Sequence, residues 1–230
     1  MHIEPEISAA SIVMVGSFNP QIFQPFWFAH HDIISDEDAE IAKIAVLLPE
    51  ISRFNLEGDF SVQVERERFA IDRAVAPLIR IADVVCRLFG ELLPHTPIGQ
   101  VGINRMIHFD LGSQEARDQI GIKLAPREPW GEFGRLASGG EGAKHGGLIS
   151  LVLTQRDVSD RTNGWIQAKV EPSHVIARGR TGIYMEINDH YDLGKRPDGA
   201  DEIVEIVRTR FDTSLAHSDS IIDQIMSLKS

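Results

Sequence analysis

The segment Val75-Ala76-Pro77-Leu78-Ile79-Arg80-Ile81-Ala82-Asp83-Val84-Val85-Cys86-Arg87-Leu88-Phe89-Gly90-Glu91-Leu92-Leu93 sets the architecture of this chain. Its polar residues Arg80, Asp83, Arg87 and Glu91 recur at helical spacing and form one narrow stripe, while the rest of the circumference is apolar. Pro77 suits a first turn. A helix of this kind needs cover on most sides, so residues 75–93 predict a helix lying in the concave face of a curved sheet. Asp83 with Arg87, and Arg87 with Glu91, are expected as exposed pairs contributing a few tenths of a kcal/mol each.

The flanks supply that sheet. Residues 60–68 alternate cleanly: Phe60, Val62 and Val64 point one way and Ser61, Gln63, Glu65 and Glu67 the other, as in a strand with one wet face. Gly58 lies in the turn before it, which makes 49–56 a hairpin partner. Upstream, 7–18 reads as a first strand closed by Asn19-Pro20. A short aromatic helix over 21–31 and a second helix from Ser35 to about residue 48 follow. Ser35 with Asp38 is a variant capping box, and the acids of the first turn suit the helix dipole.

Downstream, 99–111 alternates again, with Val101, Ile103, Ile107 and Phe109 on one face and Arg105 falling on that same apolar face. Ser113 caps a helix over 114–124. Residues 126–147 are rich in Gly and polar side chains and read as a long mobile loop. Three strands follow over 148–155, 165–171 and 182–190, the first two joined through the Asn163-Gly164 turn. A C-terminal helix opens near residue 198, breaks around Thr213-Ser214 and resumes to about 228. The fold class is therefore α+β, a mostly antiparallel curved sheet packed on long helices in a single unit spanning 1–230. The element order of 1–95 rhymes with that of 96–230, as two similar βαββα-type lobes would.

Composition narrows the function. The chain has 34 acidic and 23 basic residues, a net charge of −11, and in residues 1–60 the only bases are Lys43 and Arg53. Nucleic acid demands clustered Lys and Arg, which are missing, so nucleic acid and anionic membranes are not expected partners. No uncharged run approaches the ~18 residues of a membrane span. Cys86 is the only cysteine, inside an apolar helical run, which leaves neither an intrachain disulfide nor a thiol metal cluster. The opening Met1-His2-Ile3-Glu4-Pro5-Glu6 lacks the basic start of a secretory signal. A soluble cytoplasmic protein is expected.

Three stretches carry a resemblance: Phe60-Ser61-Val62-Gln63-Val64 through Phe69, Gly102-Ile103-Asn104-Arg105-Met106-Ile107-His108-Phe109, and Ile183-Tyr184-Met185-Glu186-Ile187 on to the helix around His217. In these the chain resembles a sporadically distributed family of uncharacterised bacterial proteins of about this size. The resemblance implies a shared fold and assigns no chemistry.

Asn104, Arg105, His108 and Asp110 are the densest polar cluster on a strand. Alternation puts Asn104, His108 and Asp110 on one face and Arg105 on the other. Arg105 reads either as an anion-binding residue in a pocket between sheet and helix or as a buried arginine matched by a carboxylate. His30-His31-Asp32 invites a metal, with His174 or His190 as a third ligand, but adjacent helical residues point about 100° apart and rarely share an ion. The loop Ser138-Gly139-Gly140-Glu141-Gly142-Ala143-Lys144-His145-Gly146-Gly147 lacks the Ser or Thr after its Lys that a phosphate cradle uses. Glu65 with Glu67, and Asp189 with Asp192, read as solvated pairs. The stretch Ile22-Phe23-Gln24-Pro25-Phe26-Trp27-Phe28 reads as core rings or as a docking surface. No Gly-x-Ser-x-Gly elbow occurs.

Enzyme activity is not called for by any motif, and neither a cofactor nor a metal is. The leading expectation is a non-catalytic protein-binding or accessory protein, engaging another protein or a second copy of itself through a sheet edge or the aromatic helix. The alternative is a small-molecule-binding protein or enzyme with a pocket between the sheet and helix 75–93, with Arg105, His108 and Asn104 as its binding residues.

Overall fold

In the computed structural model, residues 4–56, 58–137, 147–176, 180–194 and 197–229 are described. The elements in chain order are β1 (Ile7–Gly16), α1 (Pro25–His30), α2 (Asp36–Ile41), β2 (Lys43–Leu48), β3 (Ile51–Asn55), β4 (Ser61–Glu65), β5 (Arg68–Arg73) and α3 (Arg80–Arg87). They continue with β6 (Ile98–Asp110), α4 (Gln114–Leu124), α5 (Gly131–Ala137), β7 (Leu151–Gln155), β8 (Gly164–Pro172), β9 (Gly182–Asp192) and α6 (Asp201–Met226). Among the described residues, nine strands join one open sheet in the order β2-β3-β4-β5-β1-β6-β9-β8-β7, and each of their pairings is antiparallel. The fold is α+β. Among the described residues no helix is long and apolar enough to cross a membrane.

The seam between the two halves is the β1–β6 ladder, which runs from Ile7 opposite His108 to Gly16 opposite Ile98. On one side lies β2-β3-β4-β5-β1 and on the other β6-β9-β8-β7, each half closing with a helix on the sheet. Period-2 alternation sends Ala10, Ile12 and Met14 of β1 and Val101, Ile103, Ile107 and Phe109 of β6 to one buried face. Three helices pack on that face. α3 packs on β1 and β5, α6 on β6 and β9, α3 against α6, and α4 on β9.

The segment 75–93 does build the core, with Ile81, Ala82, Val84, Val85, Leu88 and Phe89 buried. Its α-helical part is shorter than expected, ending at Arg87 in a π-helical turn over Leu88–Leu92. The polar stripe is also used differently. Arg87 donates to the carbonyl oxygens of His31 at 2.7 Å and Asp32 at 3.1 Å, and Arg80 donates to that of Ile33 at 2.7 Å. Both guanidiniums thus anchor the α1–α2 connection instead of pairing with Asp83 or Glu91, because carbonyls left free at a helix end are strong acceptors for a fixed cation.

Four other expectations change. The second helix stops at Ile41 and residues 43–48 form β2, since pairing with β3 outweighs the helix preference of Ala and Leu. The first half holds one strand more than the hairpin read from 49–68, because β5 turns back on β4 directly after Glu65. Residues 128–137 are helical, a 3-10 turn at Glu128–Trp130 and then α5. Finally, α6 runs unbroken through Thr213-Ser214: Thr213 bonds back to the Arg210 carbonyl at 2.9 Å, and Ser214 is buried against the sheet. Ser35 caps α2 as read, with the capping box to Asp38 closed in both directions.

Candidate functional site

Strand β6 presents the Gly-Ile-Asn-Arg segment to both faces of the sheet, and alternation separates its polar residues as expected. Arg105 is 7% exposed on the helix-covered face. Its Nε donates to Oδ1 of Asp219 on α6 at 2.8 Å, one terminal nitrogen to the Ala9 carbonyl at 3.0 Å and the other to Ser8 Oγ at 2.9 Å. This is the buried arginine matched by a carboxylate, with its donors committed inside the chain. Helix α6 lies over Arg105, so the arginine does not open toward segment 75–93.

Asn104 and His108 sit on the opposite face and do not share a mouth with Arg105. Asn104 donates from Nδ2 to Ser11 Oγ at 3.0 Å and is buried. His108 pairs through Nδ1 with Ser173 Oγ at 2.8 Å and packs on the Tyr184 ring at 4.6 Å. Burial lowers the His108 pKa, which favours the neutral imidazole. Asn104 belongs to a polar row that crosses the sheet at one register: Asp72, Ser11, Asn104, Asn188, Gln167 and Thr154 stand opposite one another on six successive strands. One row over, His190 stacks on Trp165 at 3.8 Å with 19° between the planes. Burial lowers the pKa of His190 as well.

A second buried polar group lies on the helix side. Asp189 accepts from Ser214 Oγ at 2.6 Å, from Tyr191 OH at 3.3 Å and from Arg161, whose guanidinium covers the Tyr191 ring at 3.6 Å and also binds Asp160. The sequence reading of Asp189 with Asp192 as a solvated pair is corrected here. Position 189 continues the inward face set by Ile183, Met185 and Ile187, and period 2 alone carries that signal. These contacts stitch β9, α6 and the β7–β8 loop together. They leave Asp189 fully engaged.

The histidines of α1 do not converge with others. His31 packs on Trp27 at 4.4 Å and on His30 at 5.1 Å, and among the described residues no group of three His, Cys, Asp or Glu is placed to hold a metal ion. The Gly-rich loop 138–146 lies outside the described residues. A cleft of about 350 Å³ lies between Ser17–Phe23 and the Leu92–Pro97 turn, floored by Phe18 and Phe23 and rimmed by Asn19 and His95. It sits beside the end of segment 75–93, lined by neither Arg105 nor His108.

No protein-family model matches the chain, and no curated protein or solved structure shows significant similarity to it. What remains to point to a function is the surface. Phe23 and Phe28 are buried and Ile22 and Trp27 partly so, so the aromatic segment is mostly core, with Phe26 turned outward. The main display is on α5 and the 3-10 turn that leads into it, where Trp130, Phe133 and Leu136 are 64%, 67% and 63% exposed at spacings of three residues. α5 packs on the turn before it, and Gly134 sits so close to the Arg127 carbonyl that a Cβ would overlap it. The outer strand β7 adds exposed Val152 and Leu153, preceded by exposed Ile149. Sequence reading missed α5 because Gly and polar residues surround it; the spacing Trp130, Phe133, Leu136 was the available sign.

Proposed function

We propose that this protein works without catalysis, as a cytoplasmic accessory chain that binds another protein. The apolar stripe of α5 carries the reading. Three large side chains held in water along α5 and the turn before it lose the ~25 cal/mol per Å² that cover would return, and a groove that accepts an amphipathic helix provides such cover. Glu132 and Arg135 pair with each other at 3.2 Å beside the stripe, so the helix offers no net charge and suits an apolar groove with a neutral rim. The commitment of Arg105 and Asp189 to internal partners agrees with a binding role, since neither is left free to act on a substrate. Membership of the bacterial family that the sequence resembles belongs to this proposal and assigns it no chemistry.

The test is a paired variant, Trp130→Ser with Phe133→Ser, in the full chain. Chemical cross-linking in native lysate, read by mass spectrometry, is expected to yield a defined partner with the parent chain. The variant loses that partner while keeping its circular dichroism and unfolding midpoint. Equal recovery by the variant would remove α5 from the interface.

A second reading, a small-molecule-binding protein, is favoured by the cleft at Ser17–Phe23 and Leu92–Pro97. Native mass spectrometry of the purified chain would show a bound small molecule under this reading and the bare polypeptide mass under the first.

A further inference from the structure

The two outer strands of the sheet are built differently. β2 carries Lys43 and a register shift between Ile44 and Val46, two devices that deter another strand from adding to an edge. β7, Leu151-Val152-Leu153-Thr154-Gln155, has no charge and no proline, and its pairing with β8 runs without a shift. Its outward edge is an open row of backbone donors and acceptors with Val152 and Leu153 exposed on opposite faces. An unguarded apolar edge of this kind is a template for strand addition.

We propose that β7 pairs antiparallel with β7 of a second copy of this chain, about a two-fold axis through Leu153, so that two nine-stranded sheets run on as one. This rests on reading the protein as a binding protein, but on a different surface from α5. The strand complements itself in this register. Leu153 meets Leu153, Val152 meets the β-branched Thr154, and Leu151 meets Gln155. The flanks decide for a second copy over an unrelated peptide. The same register puts Arg156 of one copy opposite Ser150 of the other. Ser150 already donates to Glu171 at 2.8 Å, and Glu171 stands one strand further in, in the same row and on the same face as Arg156. Arg156 and Glu171 then stand two strand spacings apart, about 9.6 Å, which an extended arginine and the glutamate's own side chain span between them, and Arg156 joins Lys169, which pairs with Glu171 at 2.9 Å. Two-fold symmetry makes the contact twice. Arg156 now lies loosely over Trp165, at 6.0 Å, and is exposed. Pairing of β2 with itself would instead force a shifted edge against a shifted edge.

Five-residue strands bury less than the ~1,000 Å² of a long-lived interface, so the association is reversible and concentration-dependent. Sedimentation equilibrium of the full chain is expected to show mass rising from one copy toward two across the micromolar range. Leu153→Lys holds it at one copy. Arg156→Glu and Glu171→Arg each raise the dimer Kd by about tenfold, two weak pairs being lost together, and the doubly reversed variant recovers the parental Kd. Recovery by charge reversal is a result that a folding defect cannot imitate. A parent chain that stays at one copy up to the highest concentration overturns the proposal and leaves α5 docking standing, because that docking is read by partner capture. A two-copy mass indifferent to Leu153→Lys and to both charge variants also overturns it, by placing the contact elsewhere.

Discussion

The two halves of the sheet use their apolar residues in opposite ways. In the first, Phe23, Phe28, Phe54, Phe60, Phe69 and Phe89 are all sealed inside, with Phe69 and Phe89 meeting edge to face at 5.0 Å and Phe28 and Phe54 at 5.2 Å. In the second, the core is mostly aliphatic, built around Ile107, Ile120, Met185, Ile187 and Ile222 with Phe109 as its buried ring. It is braced by the polar contacts of Arg105 and Asp189, while two further rings, Trp130 and Phe133, are held outside. One half is organised for cohesion and the other for contact. Stability and recognition therefore separate along the β1–β6 seam.

The sharpest way to break this contrast is to delete the same side chain on each side of it. Phe69→Ala removes a ring that touches Phe18, Phe23 and Phe89 and is expected to cost about 3–5 kcal/mol in urea unfolding. Phe133→Ala, an exposed position, is expected to change stability by less than about 0.5 kcal/mol. Equal costs would show that α5 is packed and would end its role as a display. Next in size, Asp189→Ala strands the Ser214 hydroxyl and Tyr191 OH and removes one partner of the buried Arg161, for an expected loss of about 2–3 kcal/mol. A midpoint unchanged by this variant would mean that the second half is held by its aliphatic contacts alone.

The smallest effect is a pH slope. Burial depresses the pKa values of His108 and His190 in the folded chain, so both favour the neutral form there. The unfolded chain takes up its protons first as pH falls below the ordinary histidine value near 6.5, and the contribution of these residues declines from there down toward their lower folded values. Asp192 and Asp189 near His190 oppose the shift, while the Arg161 guanidinium adds to it. Thermal midpoints measured from pH 7.5 to 5 should fall less steeply in His190→Asn than in the parent. Parallel slopes would show that the His190–Trp165 stack does not hold the ring neutral.

Much of the fold was legible where one face of an element is buried and the other wet. The β4 and β6 alternations, the Ser35 and Ser113 caps, and the pairing of Arg105 with a carboxylate all follow from that inequality. β2 escaped because it lies at the sheet edge with every residue at least partly exposed; without a buried face, Ile44 to Leu48 has nothing to alternate against and looks helical. β5 does alternate, Phe69, Ile71 and Arg73 inward, but it follows so closely on β4 that one strand appeared to run through the turn. The Thr213-Ser214 break failed for a tertiary reason: Ser214 is needed against Asp189, on a strand 25 residues earlier. The candidate surfaces were the least legible, since exposure of Trp130 or Leu153 is settled by what the rest of the chain leaves uncovered.

The β1–β6 seam also has a history during synthesis. β1 is made well before the strand that covers its second edge, which ends at Asp110, so Ile7 waits about a hundred residues for His108. Until then β1, with Ile12, Val13 and Met14, has only β5 as a neighbour and keeps its other side open to solvent. Such long-range closure is slow relative to local hairpins. A first half folded before β6 is made would therefore carry β1 as a second open edge besides β2, and the speed of translation through β6 sets how long that edge is exposed to unwanted neighbours.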